Sequence, residues 1–175
     1  MPSWAEGERD AAFVTFVHGA QARLRRVAYL MCGDWHHAED VVQTALIKLY
    51  RHWSRVDRDS DPWSYARRTV VNAAIDEQRR PWRRETATDV LPETATSDAP
   101  PLDDLVLAVL SALPAKQRAV VVLRYIEDLD VDTVAQVLGM PTNTVKSHAA
   151  RGLAALREGL SLGREAEPAS MREFR

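Results

Sequence analysis

From Glu85 to Pro101 the chain carries Thr, Ala, Pro and acidic residues, and almost no large apolar side chain. Such a stretch cannot bury enough apolar surface to offset the entropy of ordering it. It is therefore read as a flexible, extended linker, and it divides the 175 residues into two bodies that must each build a core. On both sides apolar residues recur at helical spacing, and nowhere do they alternate as in a half-buried strand. The expectation is an all-α protein of two small helical domains. These span residues 10–84 and 102–162, joined by the linker 85–101 and followed by an unpatterned, disordered tail over 163–175.

In the first domain Phe13, Val14, Phe16, Val17, Leu24, Val27, Ala28 and Met31 support one or two helices ending near Gly33. A second helix over Ala38 to Trp53 places Val41, Val42, Ala45, Leu46, Leu49 and Tyr50 on one stripe. Glu39, Asp40, Gln43 and Lys48 fall off that stripe and face outward. Ser54 to Asp61 is polar and reads as a loop. Pro62 then suits the first turn of a helix running to about Arg80, with Asp61 as its N-cap.

The second domain holds the most specific pattern, VDTVAQVLGMPTNTVKSHAARGLAALR from Val131 to Arg157. Val134, Ala135 and Leu138 face inward on a short helix. Gly139 stands where a helix end needs a left-handed residue, and Pro141 opens the next helix after a tight turn. That is the layout of a helix-turn-helix, whose second helix enters the major groove. On this second helix Val145, Ala149, Leu153 and Leu156 mark the buried side. Thr142, Asn143, Lys146, Ser147, Ala150 and Arg151 point outward near its start. Lys and Arg suit guanine edges and phosphate, Ser donates or accepts, and a helix N-terminus attracts phosphate. The competing reading is a helical hairpin with those polar residues merely solvated.

The formal net charge is −2, which at first disfavours a nucleic-acid partner. The charge is unevenly spread. Basic residues outnumber acidic ones from Asp10 to Arg84, with Arg79, Arg80, Arg83 and Arg84 around Pro81 and Trp82, whereas Glu85 to Asp104 contains no Lys or Arg. Cys32 is the only cysteine, so no internal disulfide forms. MPSWAEGERD has neither the basic start nor the apolar core of a signal peptide, and no apolar run is long enough to span a bilayer. A cytoplasmic protein is expected. Cys32, His36, His37 and His18 offer too few thiolates for a structural zinc site, and the chain has neither a Gly-x-Ser-x-Gly elbow nor a phosphate-cradling glycine loop. No catalytic residue, metal or cofactor is expected.

Four segments, in order and across the linker, carry a family resemblance. They are AEDVVQTALIKLYRHW (Ala38 to Trp53), PWSYARRTVVNAAIDEQRR (Pro62 to Arg80), ALPAKQRAVVVLRYIEDLDVDTVAQVLG (Ala112 to Gly139) and NTVKSHAARGLAALR (Asn143 to Arg157). Together they resemble regions 2 and 4 of extracytoplasmic-function (ECF) sigma factors, and the run from Gly33 to Asp40 is similar to actinobacterial members.

The resemblance implies a factor that binds core RNA polymerase, through the β′ clamp coiled coil and the β flap, and promoter DNA. Glu39, Asp40, Gln43 and Lys48 match the polymerase contact; an ordinary solvated helix face is the alternative. Loop Ser54 to Asp61 is similar in position to the loop that holds a flipped base of the −10 element. Asn72, Asp76, Arg79 and Arg80 match the −10 reading helix, although Asp76 also suits orienting a neighbouring Arg. Trp63 and Tyr65 suit either base stacking or core. Asn143, Thr144, Lys146, Ser147 and Arg151 match the −35 contacts, and His148 stands where many relatives carry Arg, as an exposed imidazole. The linker matches the connector that threads toward the RNA exit path, its acidity mimicking RNA or simply solubilising a tether. The implied protein is a monomer when free, and an anti-sigma factor is a further partner. The rivals are a dimeric helix-turn-helix regulator acting alone and a polymerase adaptor without DNA contacts.

Overall fold

The structure, a computed structural model, describes residues 4–59, 61–78 and 104–166, with side chains described over 7–56, 61–78 and 104–162. Among the described residues every element is helical. The chain divides into two compact units, Met1–Pro100 and Pro101–Arg175. The linker expected over 85–101, and Arg79 and Arg80, lie outside the described residues.

The first unit packs three helices against one another: α1 (Trp4–Cys32), α2 (Trp35–Asp59) and α3 (Pro62–Gln78). Its core holds Leu24, Val27, Leu30, Met31, Leu49, Val70 and Val71, all fully buried. Two adjacent residues make the corner between α1 and α2. Gly33 takes a left-handed φ of 75°, and the Asp34 carboxylate accepts the His37 amide at 2.8 Å. Asp61 caps α3 as expected, accepting from the amides of Trp63 and Ser64 at 3.1 Å and from the Ser64 hydroxyl at 2.7 Å. Partial burial works against its ionisation, but these hydrogen bonds prevail and hold the carboxyl below its usual value.

Two expectations for this unit are overturned. Ser54 to Asp59 is not a loop, because α2 continues through it. Val56 follows Trp53 at helical spacing and is 5% exposed, and neither Gly nor Pro interrupts the chain before Pro62. Tyr50 is not in the buried stripe. It is 41% exposed, its hydroxyl donating to Asp10 at 2.9 Å while its ring stands edge-on to Phe13 at 5.0 Å.

The second unit comprises α4 (Asp104–Ala112), α5 (Ala115–Val121), α6 (Val131–Leu138) and α7 (Thr142–Ala166). α5 runs on into a π turn, Val122–Ile126. The buried Arg118 guanidinium donates to the carbonyls of Ser111 and Leu113, closing the end of α4. Beyond the π turn, Asp128 adopts φ 52° and Arg124 donates to the Leu129 carbonyl. α7 does not stop at Leu162; residues 163–166 extend it, since Arg, Glu and Ala all favour helix, and only the rest of the expected disordered tail lies outside the described residues.

Candidate nucleic-acid interface

α6 and α7 are set by caps at both ends of a tight turn. Asp130 accepts from the Thr133 amide at 2.8 Å and from its hydroxyl at 2.7 Å, which keeps the Asp130 carboxyl below its ordinary value. Gly139 ends α6 in the left-handed region, at φ 60° and ψ 43°, a conformation costly for a residue with a Cβ. The Met140 amide bonds back to Ala135, and Pro141 accepts from Thr144 and Val145 to open α7. Val134, Ala135 and Val137 are buried on α6, with Leu138, expected inward, only half-buried. Val145 and Ala149 bury the inner side of α7. Capped helix, left-handed glycine and second helix together form a helix-turn-helix.

Asn143, Lys146, Ser147, Ala150 and Arg151 are exposed, and their spacing puts them on one face of α7. Thr144, seven residues before Arg151, stands at the margin of that face and is half-buried. The Ser147 hydroxyl donates to the Asn143 carbonyl at 3.0 Å, so it meets a partner as an acceptor. His148 is half-buried rather than exposed, and its Nδ1 is buried without a hydrogen-bond partner. Burial, with the charges of Arg151 and Lys116, pushes its pKa below 6.5. Close packing holds the helix in place. A Cβ on Gly152 would lie 2.4 Å from Val121 Cγ2, and one on Gly159 would lie 2.7 Å from Val109 Cγ2.

In the first unit Glu39, Asp40, Gln43 and Lys48 are all exposed on α2, as expected. Glu39 is engaged, however, in an ion pair with Arg25 of α1. Reading the sequence missed Ile47, which is 54% exposed between Gln43 and Lys48. Its position four residues after Gln43 was the signal. On α3 Asp76 is exposed and Asn72 half-buried, one turn apart on the same side. Arg68, one turn earlier and exposed, extends that row and was also missed. Trp63 is half-buried beneath the Arg23 guanidinium, 4.3 Å from its ring centroid, and Tyr65 is half-buried near His52. Among the described residues no three His, Cys, Asp or Glu side chains converge on a metal site, and no helix is long and apolar enough to cross a membrane.

Comparison with known proteins decides what these two units are. Residues 16–84 match sigma-70 region 2, and residues 103–156 match sigma-70 region 4. The RNA polymerase sigma-E factor of Streptomyces coelicolor is 36% identical over 151 residues, covering 85% of each chain. The chain belongs to the ECF sigma factors. SigW of Bacillus subtilis, an ECF RNA polymerase sigma factor, is 30% identical over 175 residues, covering 89% of this sigma factor and 91% of that one. Among solved structures, the sigma factor RpoE from Bartonella quintana, crystallised with the anti-sigma factor NepR, shares the fold with a TM-score of 0.69 at 21% identity, over 86% of this chain and 97% of that one. SigJ of Mycobacterium tuberculosis gives a TM-score of 0.60 at 28% identity, over 82% of this chain and 52% of that one. The protein is thus a transcription initiation factor that binds core RNA polymerase and promoter DNA and directs promoter-specific initiation.

Proposed function

We propose that this sigma factor divides its work between residues 10–84, which bind polymerase and read the −10 element, and residues 102–162, which read the −35 element. The observation that carries the second half is the exposed face of α7, the second helix of a capped helix-turn-helix. Asn143, Lys146, Ser147 and Arg151 enter the major groove, with Thr144 supporting the helix start. In the first unit Asp40, Gln43 and Lys48 on α2 meet the β′ clamp coiled coil, with Ile47 as an apolar centre. Glu39 joins them by exchanging Arg25 for a partner on polymerase. Asn72 and Asp76, with Arg79 and Arg80 further along the chain, serve the −10 strand, and melting follows from capture of its unstacked bases. The second unit also docks on the β flap.

The protein acts as a cytoplasmic monomer without catalysis or cofactor, and residues 85–101 tether the two units. An anti-sigma factor is a fitting regulator, a reading supported by the sigma factor RpoE of Bartonella quintana, which shares the fold and was crystallised with the anti-sigma factor NepR. Competition for core polymerase tests the α2 assignment. Asp40→Ala with Gln43→Ala is expected to weaken core binding at least tenfold while the helical fold stays intact by circular dichroism. Unchanged competition would refute that interface.

A further inference from the structure

The helix before the helix-turn-helix runs directly against the recognition helix. The Gln117 carbonyl lies 3.8 Å from the position of a Cβ on Gly152, and Val121 is closer still. Lys116, exposed, immediately precedes Gln117, while His148 stands one turn before Gly152 on the same side of α7. Arg151, also exposed, is three residues from His148, so the two share a face. Packing thus gathers Lys116 from α5 with His148 and Arg151 from α7. The charged groups acting on His148 are these two cations. Its Nδ1 is buried and unpartnered, which leaves Nε2 to meet a ligand.

Lys116 and Arg151 repel each other and oppose a proton on His148 until an anion arrives, and an anion then gains from all three. The site lies at the edge of the exposed face of α7, where Arg151 belongs both to the site and to the row with Asn143, Lys146, Ser147 and Ala150. Beside a helix lying in the major groove, the anion present is a backbone phosphate.

We propose that Lys116, His148 and Arg151 form one phosphodiester site bridging α5 and α7, filled by a backbone phosphate of the bound promoter. The proposal rests on the −35 reading of α7. In the free protein burial and the two neighbouring cations disfavour the charged form of His148; the arriving phosphate favours the imidazolium, which takes its proton from the buffer. Promoter binding therefore takes up as much as one proton. Affinity rises as pH falls through the pKa of His148 in the complex and levels off below its pKa in the free protein.

The test uses holoenzyme, assembled from core polymerase and the full chain, on a duplex carrying a promoter returned by run-off transcription. Affinity is measured between pH 6 and pH 8 and across a salt series. Wild type is expected to bind roughly three- to tenfold tighter at pH 6 than at pH 8. His148→Ala should lose most of that gain, and His148→Arg should make binding independent of pH while keeping it tight at pH 8. Lys116→Ala should weaken binding at all pH values and lower the salt slope by about one. Equal pH profiles for wild type and His148→Ala, or an unchanged salt slope in Lys116→Ala, would overturn the proposal while promoter-specific binding persists. If binding also survives Lys146→Ala with Ser147→Ala undiminished, the −35 reading itself fails, and this site with it.

Discussion

In the first unit α1 meets α2 through rings, whereas in the second α7 meets α5 and α4 through glycines. Phe13 stands edge-on to Trp53 at 5.2 Å, and Phe16 tilts against the same ring at 5.3 Å. Gly19, on α1 beside this cluster, has nothing within 4 Å of where its Cβ would be. Gly152 and Gly159 on α7 have no such room. Large rings keep helices apart and tolerate change at their margins; glycines bring backbones together and fix one helix against another. The arrangement suits the work. In the proposed division of labour the first unit offers its α2 face to a protein, and the second holds one recognition helix in a groove. The composition also makes the contrast measurable, since all 5 tryptophans fall in the first unit, at Trp4, Trp35, Trp53, Trp63 and Trp82. Tryptophan fluorescence therefore follows the first unit alone, and circular dichroism follows both.

The largest effect is expected from Trp53→Ala. Trp53 is 2% exposed and touched by two rings, so its loss should cost about 3–5 kcal/mol of first-unit stability. Denaturant unfolding followed by the remaining tryptophans reads this, with the second unit's transition left in place. A loss shared equally by both units would break the comparison.

Gly152→Ala comes next. The new methyl meets Val121, a branched side chain with little rotamer freedom inside a helix. Overpacking of about 1–3 kcal/mol should outweigh the helix propensity gained, destabilising the second unit and weakening promoter binding together. Gly19→Ala should do the reverse, raising first-unit stability by about 0.5–1 kcal/mol because the helix gains a better former in open space. Equal signs for the two glycine substitutions would remove the distinction drawn here.

The smallest effect concerns acid. His148 titrates lower folded than unfolded, so the unfolded chain binds more protons near neutrality. Its contribution is fully present above pH 6.5 and is lost as pH falls through the lowered folded value. Protection of the α5 and α7 amides, after correction for the intrinsic slowing of exchange in acid, should fall modestly on acidification, and His148→Gln should remove that part of the change. This runs opposite to promoter binding, which acid should tighten.

Much of this was legible in the sequence, for a physical reason. Periodicity, caps and turn residues act within a few residues of themselves, so Asp61, Gly139 and Pro141 declared their turns and Val145 with Ala149 their buried side. What passes between elements was not legible. The Arg25–Glu39 ion pair joins residues 14 apart on different helices, and no local pattern marks it. The packing that half-buries His148 depends on α5 lying against Gly152. The π turn at Val122–Ile126 interrupts an apolar run that reads as uniform helix. The supposed loop after Ser54 failed for a different cause. Its polar residues point to irregular chain, yet Val56 gives the longer helix something to bury. The α2 and α7 faces were found by elimination of the buried stripe, which is why Ile47, an apolar residue standing outside it, was overlooked.

Run-off transcription with core RNA polymerase and genomic fragments from the host tests the central claim most directly. The account predicts discrete starts that depend on this protein and disappear with Lys146→Ala plus Arg151→Ala, while the doubly substituted protein still binds core. No protein-dependent starts, together with tight binding of bare duplex by a dimer, would contradict it.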